Sequence, residues 1–219
     1  MEPEFWQNRW RTGQIGFHQS DVDGSLKQHW PALGLADGDH VFVPLCGKSL
    51  DIPWLLNQGF SVIGVELSAV ALESFFMENG IAARRCALGN FDVFEAPRLR
   101  LFCGDFFSLT RELVGPIAAV YDRAALISWT PQSRAAYLAH LNSLTAPGAQ
   151  TLLITMEYLQ QQMQGPPFSV DSRAVDKLYS QHHSIQKLAR RDILASENRL
   201  RERGLTELHE TCYLLKRIG

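Results

Sequence analysis

The feature that most constrains the fold of this chain is an alternation of short apolar runs with stretches of helical spacing. The first run, residues 40–46, is almost continuously apolar, which is typical of a parallel strand buried on both faces. A turn at 47–51, a helical stretch that ends at Gly59 and a second apolar run at 61–66 follow it. Strands that alternate with helices indicate a doubly wound α/β fold with a mostly parallel sheet.

The rest of the chain continues this alternation. Ser68 can cap a helix that runs to about residue 80, and a hairpin-like excursion is predicted at 89–95. Helical spacing recurs over 131–144, and a polar stretch after Pro167 is also predicted to be helical. The remaining predicted strands lie at 99–103, 117–121, 151–155 and, as an antiparallel edge element, 206–215.

We therefore expect a Rossmann-like fold with a mostly parallel, seven-stranded sheet and a C-terminal antiparallel strand. The length of 219 residues and the hydrophobic content of 46% suit one core, so residues 1–219 are predicted to form a single domain. Residues 1–35, in which Gly13 and Gly16 interrupt a helical pattern, are expected to form an N-terminal helical lid.

Charge and hydropathy argue against several classes of function. The 21 basic and 23 acidic residues give a net charge of −2, whereas a nucleic-acid binder usually carries a basic excess. No apolar run reaches the roughly 18 residues of a membrane-spanning helix, and the N-terminus shows no apolar region of a signal peptide. These features predict a cytoplasmic protein without nucleic-acid or membrane partners.

Three patterns that could indicate other ligands are interpreted as structural. The cysteines form no C-x-x-C pair, which favours reduced thiols at Cys46, Cys86, Cys103 and Cys212. His182 and His183 would point about 100° apart on a helix, and no metal site is predicted. Acidic residues interleave a basic cluster, which favours a solvated helix face over an RNA-binding patch. The members of this cluster are Lys187, Arg190, Arg191, Arg199, Arg201 and Arg203.

Residues that end strands are the candidate functional site, because ligands of such sheets bind beyond the carboxyl ends of the strands. The first strand ends in the turn 44–48, whose backbone groups can approach a ligand closely. Glu66 ends the second strand, where an acid can bind the hydroxyls of a ribose. Alternatively, Glu66 caps the helix that begins near Ser68. Turn and acid together indicate a cofactor that contains adenosine.

The turn also discriminates between cofactors. Its single glycine, Gly47, argues against the G-x-G-x-x-G turn of NAD and FAD sites, and Phe42 stands where a P-loop needs its first glycine. S-adenosylmethionine has no phosphate and tolerates such a turn, so it is the favoured cofactor. Asp105 and Phe106 follow the third strand, where an acid and an aromatic ring can hold an adenine.

Seven stretches of the chain are similar to bacterial thiopurine S-methyltransferases, and together they extend over essentially its whole length. The succession of VPLCGKS, VIGVELS and DRAAL in this order is the most specific part of the resemblance. The stretches are FWQNRW at 5–10, GFHQ at 16–19, VPLCGKS at 43–49, VIGVELS at 62–68, YDRAAL at 121–126, GPPF at 165–168 and YLL at 213–215.

The resemblance implies a class I S-adenosylmethionine-dependent methyltransferase that is a monomer. It also implies site residues, of which Arg199 aligns with a substrate-side arginine of the family. The residues implied to contact the cofactor are Trp10, Leu45, Glu66 and Arg123, with Asp105 and Phe106 at an adenine position where members vary.

Three further candidate residues also have a structural alternative. Trp10 would otherwise be a core aromatic, and Arg123 would pair with a surface carboxylate. Arg123 is also the candidate catalytic residue, because a guanidinium near the acceptor favours a thiolate and orients its ring. His18 is predicted to line the acceptor pocket, or else to be a loop residue bonded to backbone.

The predicted function is S-methylation of aromatic and heterocyclic thiols such as thiopurines. Because such thiols ionise readily, positioning and desolvation can supply most of the rate without a dedicated general base. One alternative is methylation of selenium and tellurium species, whose soft nucleophiles suit the same pocket. The other alternative is a catalytically silent, nucleoside-binding regulator.

Overall fold

The computed structural model describes residues 3–218, which contain nine strands and eight α-helices. The strands are β1 (His40–Val43), β2 (Ser61–Glu66), β3 (Arg84–Leu88), β4 (Phe91–Ala96), β5 (Leu99–Cys103), β6 (Ala119–Arg123), β7 (Gln150–Glu157), β8 (His183–Asp192) and β9 (His209–Arg217). The helices are α1 (Pro3–Arg11), α2 (Gly24–His29), α3 (Asp51–Asn57), α4 (Ala69–Glu78), α5 (Arg111–Val114), α6 (Arg134–Leu144), α7 (Ser172–Tyr179) and α8 (Asn198–Glu202).

All nine strands belong to one sheet in the order β3-β4-β5-β2-β1-β6-β7-β9-β8. The central strands β5, β2, β1, β6 and β7 run parallel, whereas the pairs at both margins are antiparallel. The chain winds to one side of β1 through β2 and to the other side through β6, so the sheet has its topological switch point at β1. This confirms the predicted doubly wound α/β class.

Both faces of the parallel strands are buried, as the apolar run at 40–46 predicts. Val41 and Val43 of β1 pack into one core cluster, together with Leu26 and Trp30. Phe42, which points to the opposite face, belongs to the other cluster. Each face of the sheet therefore has its own apolar layer.

The sheet has nine strands instead of the predicted seven, and β3, β4 and β8 are the strands for which the sequence analysis gave no range. The β3–β4 hairpin confirms the predicted excursion, and it extends the sheet beyond β5. The helices α7 and α8 confirm parts of the helical stretch predicted after Pro167. The strand β8 contradicts that prediction in between, because residues 183–192 pair antiparallel with β9. Consequently β9 lies inside the sheet rather than at its edge.

The strand β8 also corrects the interpretation of the basic cluster. Lys187, Arg190 and Arg191 lie on this edge strand, not on a helix face. Exposed edge strands commonly carry charged side chains, which hide the apolar alternation that identifies a strand. His183 likewise begins β8, so the argument from helical geometry does not apply to the His182–His183 pair. Among residues 3–218, no group of three His, Cys, Asp or Glu side chains could hold a metal ion.

The N-terminal segment is helical as predicted, and its two halves differ in burial. In α1 only Trp10 is buried, whereas Leu26 of α2 and the following Trp30 are core residues. Asp23 caps α2, since its Oδ1 accepts a hydrogen bond from the Leu26 N–H at 2.9 Å. Whether residues 1–35 act as a lid stays a prediction, and Met1 and Glu2 lie outside the described residues.

Two further sequence predictions concern the environment of the chain. None of the helices within residues 3–218 is long and apolar enough to cross a membrane. The cysteines Cys46, Cys86, Cys103 and Cys212 are free thiols, of which Cys46 and Cys212 are buried.

Candidate active site

A cavity of about 360 Å³ opens at the carboxyl ends of β1, β2, β5 and β6, beside the topological switch point. Residues 3–21 supply a second wall, and Pro166, Pro167 and α8 supply a third. All of the site residues predicted from the sequence line this one cavity: Trp10, His18, Leu45, Glu66, Asp105, Phe106, Arg123 and Arg199. The structure therefore brings together residues from six separate parts of the chain.

The turn after β1 has an unusual backbone conformation, which allows the Trp10 indole to approach it closely. Leu45 has a φ of 48°, which is rare for a residue with a side chain, and such strain is typical of functional turns. Gly47 has a φ of 53°, and a Cβ there would lie 3.0 Å from Cζ2 of Trp10. The glycine is thus needed both for the turn and for the approach of the indole to it.

Glu66 is held rigidly at the end of β2. Its Oε2 accepts a hydrogen bond from the Gly47 N–H and its Oε1 accepts one from the Ser68 N–H, both at 2.9 Å. Burial raises the pKa of Glu66, and these two hydrogen bonds oppose the rise. Ser68, not Glu66, caps α4, because its hydroxyl oxygen accepts the Ala71 N–H. Glu66 thus supports the start of α4 through the N–H of its cap residue, and its carboxylate also borders the cavity.

Trp10 belongs to an aromatic wall rather than to either face of the sheet. It packs edge-to-face against Phe17 with the ring centroids 5.5 Å apart, and Trp6 contacts the same Phe17 ring at 5.4 Å. Trp10 is only 7% exposed, and it lies outside both clusters that cover the faces of the sheet. Its burial depends on the turn and on the N-terminal segment, which is the arrangement expected of a residue that covers a ligand.

Asp105 and Phe106 each make structural contacts and also line the cavity. Asp105 is exposed and accepts the Phe107 N–H with Oδ1 at 3.1 Å, which begins a short 3-10 helix. Phe106 is almost fully buried and packs against Tyr137 and His140, with centroid distances of 5.1 and 4.8 Å. Both residues nevertheless border the cavity.

Arg123 is paired with two buried carboxylates. Its Nε lies 3.2 Å from Asp23 Oδ2 and its Nη1 lies 3.5 Å from Asp51 Oδ2. The Tyr121 hydroxyl donates to the same Asp51 oxygen at 3.0 Å, and the Asp23 N–H donates to Asp51 Oδ1 at 2.8 Å. The partners of Arg123 are thus buried, which corrects the alternative of a surface carboxylate. The network joins the N-terminal segment to the start of α3 and the end of β6.

The pKa values in this network follow from burial and pairing. Burial by itself would lower the pKa of Arg123, but Tyr121, Asp51 and Asp23 together raise it. Burial raises the pKa of Asp51, and the charge of Arg123 opposes that rise. The guanidinium therefore stays protonated, with its charge compensated inside the protein.

His18 and Arg199, the two residues predicted to bind the acceptor, line the cavity where the N-terminal segment meets α8. The backbone N–H of His18 donates to the Ile15 carbonyl at 2.7 Å, and burial, together with the charge of Lys48, lowers the pKa of its imidazole. The guanidinium of Arg199 lies directly against Gly16, where an added Cβ would be 1.6 Å from Nη1. Gly16 is thus needed for this close approach, a role that the sequence analysis missed when it treated Gly16 as a helix breaker.

Other lining residues also escaped the sequence analysis. Asp23 and Asp51 hold Arg123, Phe17 completes the aromatic wall, and Pro166 and Pro167 form the side near α8. A signal existed for the prolines and for Phe17, since both lie in stretches that match the family. For the two aspartates only the folded arrangement shows the role, because they lie 100 and 72 positions before Arg123.

The cavity fits a nucleoside cofactor that carries no phosphate. Glu66, at the end of its strand, can bind vicinal hydroxyls. The turn at Gly47 places backbone groups and the Trp10 indole beside this carboxylate. Lys48 would have to bind any phosphate at this turn, but its Nζ forms an ion pair with Glu78 Oε1 at 2.7 Å. Fold and site together are those of a class I S-adenosylmethionine-dependent methyltransferase.

Comparison with known proteins makes the class more specific. The profile of the family described as thiopurine S-methyltransferase (TPMT) matches residues 1–218. A thiopurine S-methyltransferase of Nitrosospira multiformis is 45% identical over 215 residues, which cover 98% of each chain. One of Pseudomonas fluorescens (strain SBW25) is 46% identical over 215 residues, 98% of this chain and 99% of the relative. The chain therefore belongs to the thiopurine S-methyltransferase family.

A solved structure confirms the fold independently of sequence. The 1,6-didemethyltoxoflavin-N1-methyltransferase of Burkholderia thailandensis, solved with S-adenosylhomocysteine, aligns with a TM-score of 0.64 at 14% identity. The alignment covers 99% of this chain and 87% of that chain. The predicted family and the Rossmann-like methyltransferase fold are thus confirmed, whereas the role of each site residue stays a prediction.

Proposed function

We propose that this protein transfers the methyl group of S-adenosylmethionine to the sulfur of aromatic and heterocyclic thiols, thiopurines among them. The observation that carries the proposal is the family match over 1–218, combined with a single cavity that all the predicted site residues line. Relatives that are 45% identical over nearly the full length are named for this activity.

Each wall of the cavity has a distinct task in this reaction. Glu66 binds the ribose hydroxyls of the cofactor, and the Leu45–Gly47 turn contacts its methionine part. Asp105 and Phe106 border the place of the adenine. Trp10 closes the site against water. The tasks follow the order of the strands, since neighbouring strand ends contact neighbouring parts of one elongated ligand.

Arg123 orients the reacting groups from the end of β6. Two buried carboxylates fix its guanidinium, which leaves the N–H groups that do not face Asp23 or Asp51 free to bind a ligand. When bound, the cofactor supplies an electrophilic methyl group on a sulfonium. The chain therefore has to hold a thiolate in line with that methyl group and exclude water, and it needs no strong base for an acidic thiol.

The finer parts of the prediction belong to the same proposal. The protein works as a cytoplasmic monomer on small-molecule thiol or chalcogen acceptors, without nucleic-acid or membrane partners. A cavity of about 360 Å³ suits a cofactor with a small acceptor, and the net charge of −2 does not favour nucleic acid. Selenium and tellurium species are soft nucleophiles, and methylation of these species is the second candidate activity.

A panel of acceptors with methyl-labelled S-adenosylmethionine tests the proposal. Thiophenols and thiopurines should accept label, while phenol and aniline, which present harder oxygen and nitrogen nucleophiles, serve as controls. Selenite and tellurite are assayed in the same panel for the second candidate. Calorimetry should show micromolar binding of S-adenosylmethionine and S-adenosylhomocysteine but not of NAD. Cofactor binding without turnover of any thiol or chalcogen would instead favour the non-catalytic regulator.

A further inference from the structure

One wall of the cavity is formed by two consecutive prolines, Pro166 and Pro167, which we call the diproline wall. Neither residue has a backbone N–H. The Pro167 carbonyl accepts a hydrogen bond from the Tyr158 hydroxyl at 2.6 Å, and the Pro166 carbonyl accepts one from Arg203 Nη1 at 3.4 Å. Neither donor is among the described residues that line the cavity. Both carbonyls are thus bound from outside, and the wall presents pyrrolidine rings to a ligand.

Tyr158 is held by an apolar cluster that is separate from the two clusters on the faces of the sheet. This third cluster joins the segment after β7 to α8 and to the residues that follow α8. Its buried members are Tyr158, Met163, Leu200, Leu205 and Leu208. Tyr158 is almost fully buried, and burial raises the pKa of its hydroxyl, so the group stays protonated and can donate. The diproline wall is therefore fixed by a small core of its own.

Further contacts hold the segment around the two prolines. Gln160 Nε2 donates to the Tyr158 hydroxyl at 3.2 Å, and Gln160 Oε1 accepts the Ser169 N–H at 2.9 Å. The Tyr158 N–H donates to Ser169 Oγ at 3.0 Å. Before the prolines, Gly165 has a φ of 77°, and a Cβ there would lie 2.5 Å from Cδ1 of Phe168. The segment is thus held on both sides of the diproline wall.

An apolar wall has a chemical consequence for methyl transfer to a thiolate. The thiolate sulfur forms a bond to the methyl carbon while the bond from that carbon to the sulfonium breaks, so a negative and a positive charge cancel. Water stabilises the separate charges more than the transition state, and its exclusion therefore favours the reaction. A carbonyl oxygen that faced the thiolate would repel it, because the oxygen is the negative end of the dipole.

We propose that Tyr158 is a positioning residue whose hydroxyl holds the Pro167 carbonyl away from the cavity and so keeps the diproline wall apolar. Tyr158 acts through the prolines and contacts neither acceptor nor cofactor. The inference rests on the proposed function and deepens it: the favoured acceptors are thiols that pack the face of an aromatic ring, rather than a polar substituent, against this wall.

Tyr158→Phe tests the role of the hydroxyl, because it keeps the ring in the third cluster. With thiophenol as acceptor, kcat/KM should fall roughly tenfold, since the carbonyl that loses its donor draws water to the wall. The fall should appear in kcat and in the KM of the acceptor, while calorimetry shows an unchanged dissociation constant for S-adenosylhomocysteine. An unchanged kcat/KM, or an equal loss of cofactor affinity, would overturn the proposal.

Gly165→Ala disturbs the same wall from its other side. The added methyl group would overlap the Phe168 ring, and the positive φ is strained for alanine, so the diproline wall has to shift. We expect the same selective loss for the acceptor as in Tyr158→Phe. A Gly165→Ala variant with full kcat/KM for thiophenol would contradict a role for the placement of this wall.

Two variants control for a general loss of stability. Tyr179→Phe is the same chemical change at a buried hydroxyl that has no hydrogen-bond partner within residues 3–218. Gln162→Ala removes two hydrogen bonds to Thr206, which join the same two segments away from the cavity. Both variants should keep kcat/KM within about twofold of the wild type. A loss in the controls as large as that in Tyr158→Phe would indicate a stability effect and overturn the positioning role.

Product binding makes the test independent of turnover. If the wild type methylates no thiol, the proposed function fails, but thioanisole, the product expected from thiophenol, still reports on the wall. Calorimetry with the S-adenosylhomocysteine complex should show severalfold weaker binding of thioanisole to Tyr158→Phe than to the wild type and to Tyr179→Phe. Equal affinities in the three proteins would overturn the positioning role alone.

Discussion

At the scale of single residues, Glu66 has a structural role beside the role in cofactor binding that we propose for it. Its carboxylate holds two backbone N–H groups at 2.9 Å, and the same group faces the cavity. Glu66→Ala should weaken binding of S-adenosylmethionine by about 1–3 kcal/mol, because it removes a charge-assisted hydrogen bond to the ribose. Calorimetry on the folded variant measures this, with the exposed Glu73→Ala as the matched control. An unchanged dissociation constant would leave Glu66 with the structural role alone.

The pairing of Arg123 leads to a second residue-scale prediction. If its charge stabilised a thiolate, Arg123→Lys would cost most for acceptors of high thiol pKa. Because Asp23 and Asp51 already compensate that charge, we expect a loss of similar size across thiophenols of graded acidity. The loss should be on the order of 2–4 kcal/mol in transition-state stabilisation for Arg123→Ala, as for removal of one oriented donor. A loss that grows with thiol pKa would instead support direct stabilisation of the thiolate.

The Asp23→Asn substitution tests the same network while it leaves Arg123 itself in place. Asparagine caps a helix about as well as aspartate, so α2 keeps its cap while Arg123 loses one ionic partner. A role in positioning predicts a lower kcat/KM for the Asp23→Asn variant with little change in melting temperature. Should the variant keep full activity, Asp51 alone would suffice to orient Arg123.

At the scale of elements, Asp122 couples the end of β6 to α6. The buried carboxylate accepts the Tyr137 hydroxyl at 2.8 Å and the Leu126 N–H at 2.9 Å, and thereby shapes the loop that follows Arg123. Burial raises the pKa of Asp122 to about 6, against an ordinary value of 3.8. Between these two values the folded state holds a proton that the unfolded state has lost. The contribution of Asp122 to stability is therefore present at low pH and is lost as the pH rises through about 6.

Asp122→Asn tests this coupling. Asparagine can accept the Leu126 N–H and donate to Tyr137, yet it does not ionise. From pH 4 to pH 7, the free energy of unfolding of the wild type should fall relative to that of the variant by about 2 kcal/mol. Denaturant unfolding over this range measures the difference. Parallel curves for the two proteins would contradict the elevated pKa.

The elements also show how far the sequence predicts the fold. The parallel strands and α4 were predictable because their signals are local: apolar runs buried on both faces, and a serine cap at Ser68. The strand β8 was not, because an exposed edge strand has a polar sequence and only its pairing with β9 makes it a strand. The same reason explains why part of the basic cluster was assigned to a helix.

For the site, local signals located the strand-end residues but not the contacts between distant segments. Glu66 and Leu45 were predictable from their position after strands. The pairing of Arg123 with Asp23, and the Ser25 hydroxyl that donates to Glu210 at 2.7 Å, join segments far apart in sequence. Neither segment by itself contains a signal that predicts such a contact, since an isolated aspartate or serine is equally typical of a solvated surface.

At the scale of the whole molecule, the N-terminal segment consists of two parts with different attachments. Residues 24–33 are anchored: Leu26 and Trp30 lie in the core, and Ser25 bonds to Glu210 of β9. Within residues 3–17, the rings of Trp10 and Phe17 pack together at the cavity, Trp6 and Arg9 are half-buried, and the other residues of α1 are exposed. This distribution favours a lid that is shorter than the predicted 1–35, because core residues cannot open without unfolding the sheet face that they cover.

Hydrogen exchange with and without S-adenosylhomocysteine tests this division. Amides of residues 3–17 should gain protection on binding, because the ligand adds contacts to Trp10 and stabilises the closed segment. Amides of residues 24–33 should be protected in both states, since their burial does not depend on the cavity. A Trp10→Ala variant should lose most of the gain at α1 and leave 24–33 unchanged. Equal gains across 3–33 would instead support one lid that moves as a unit, and no gain at α1 would remove the lid from the mechanism.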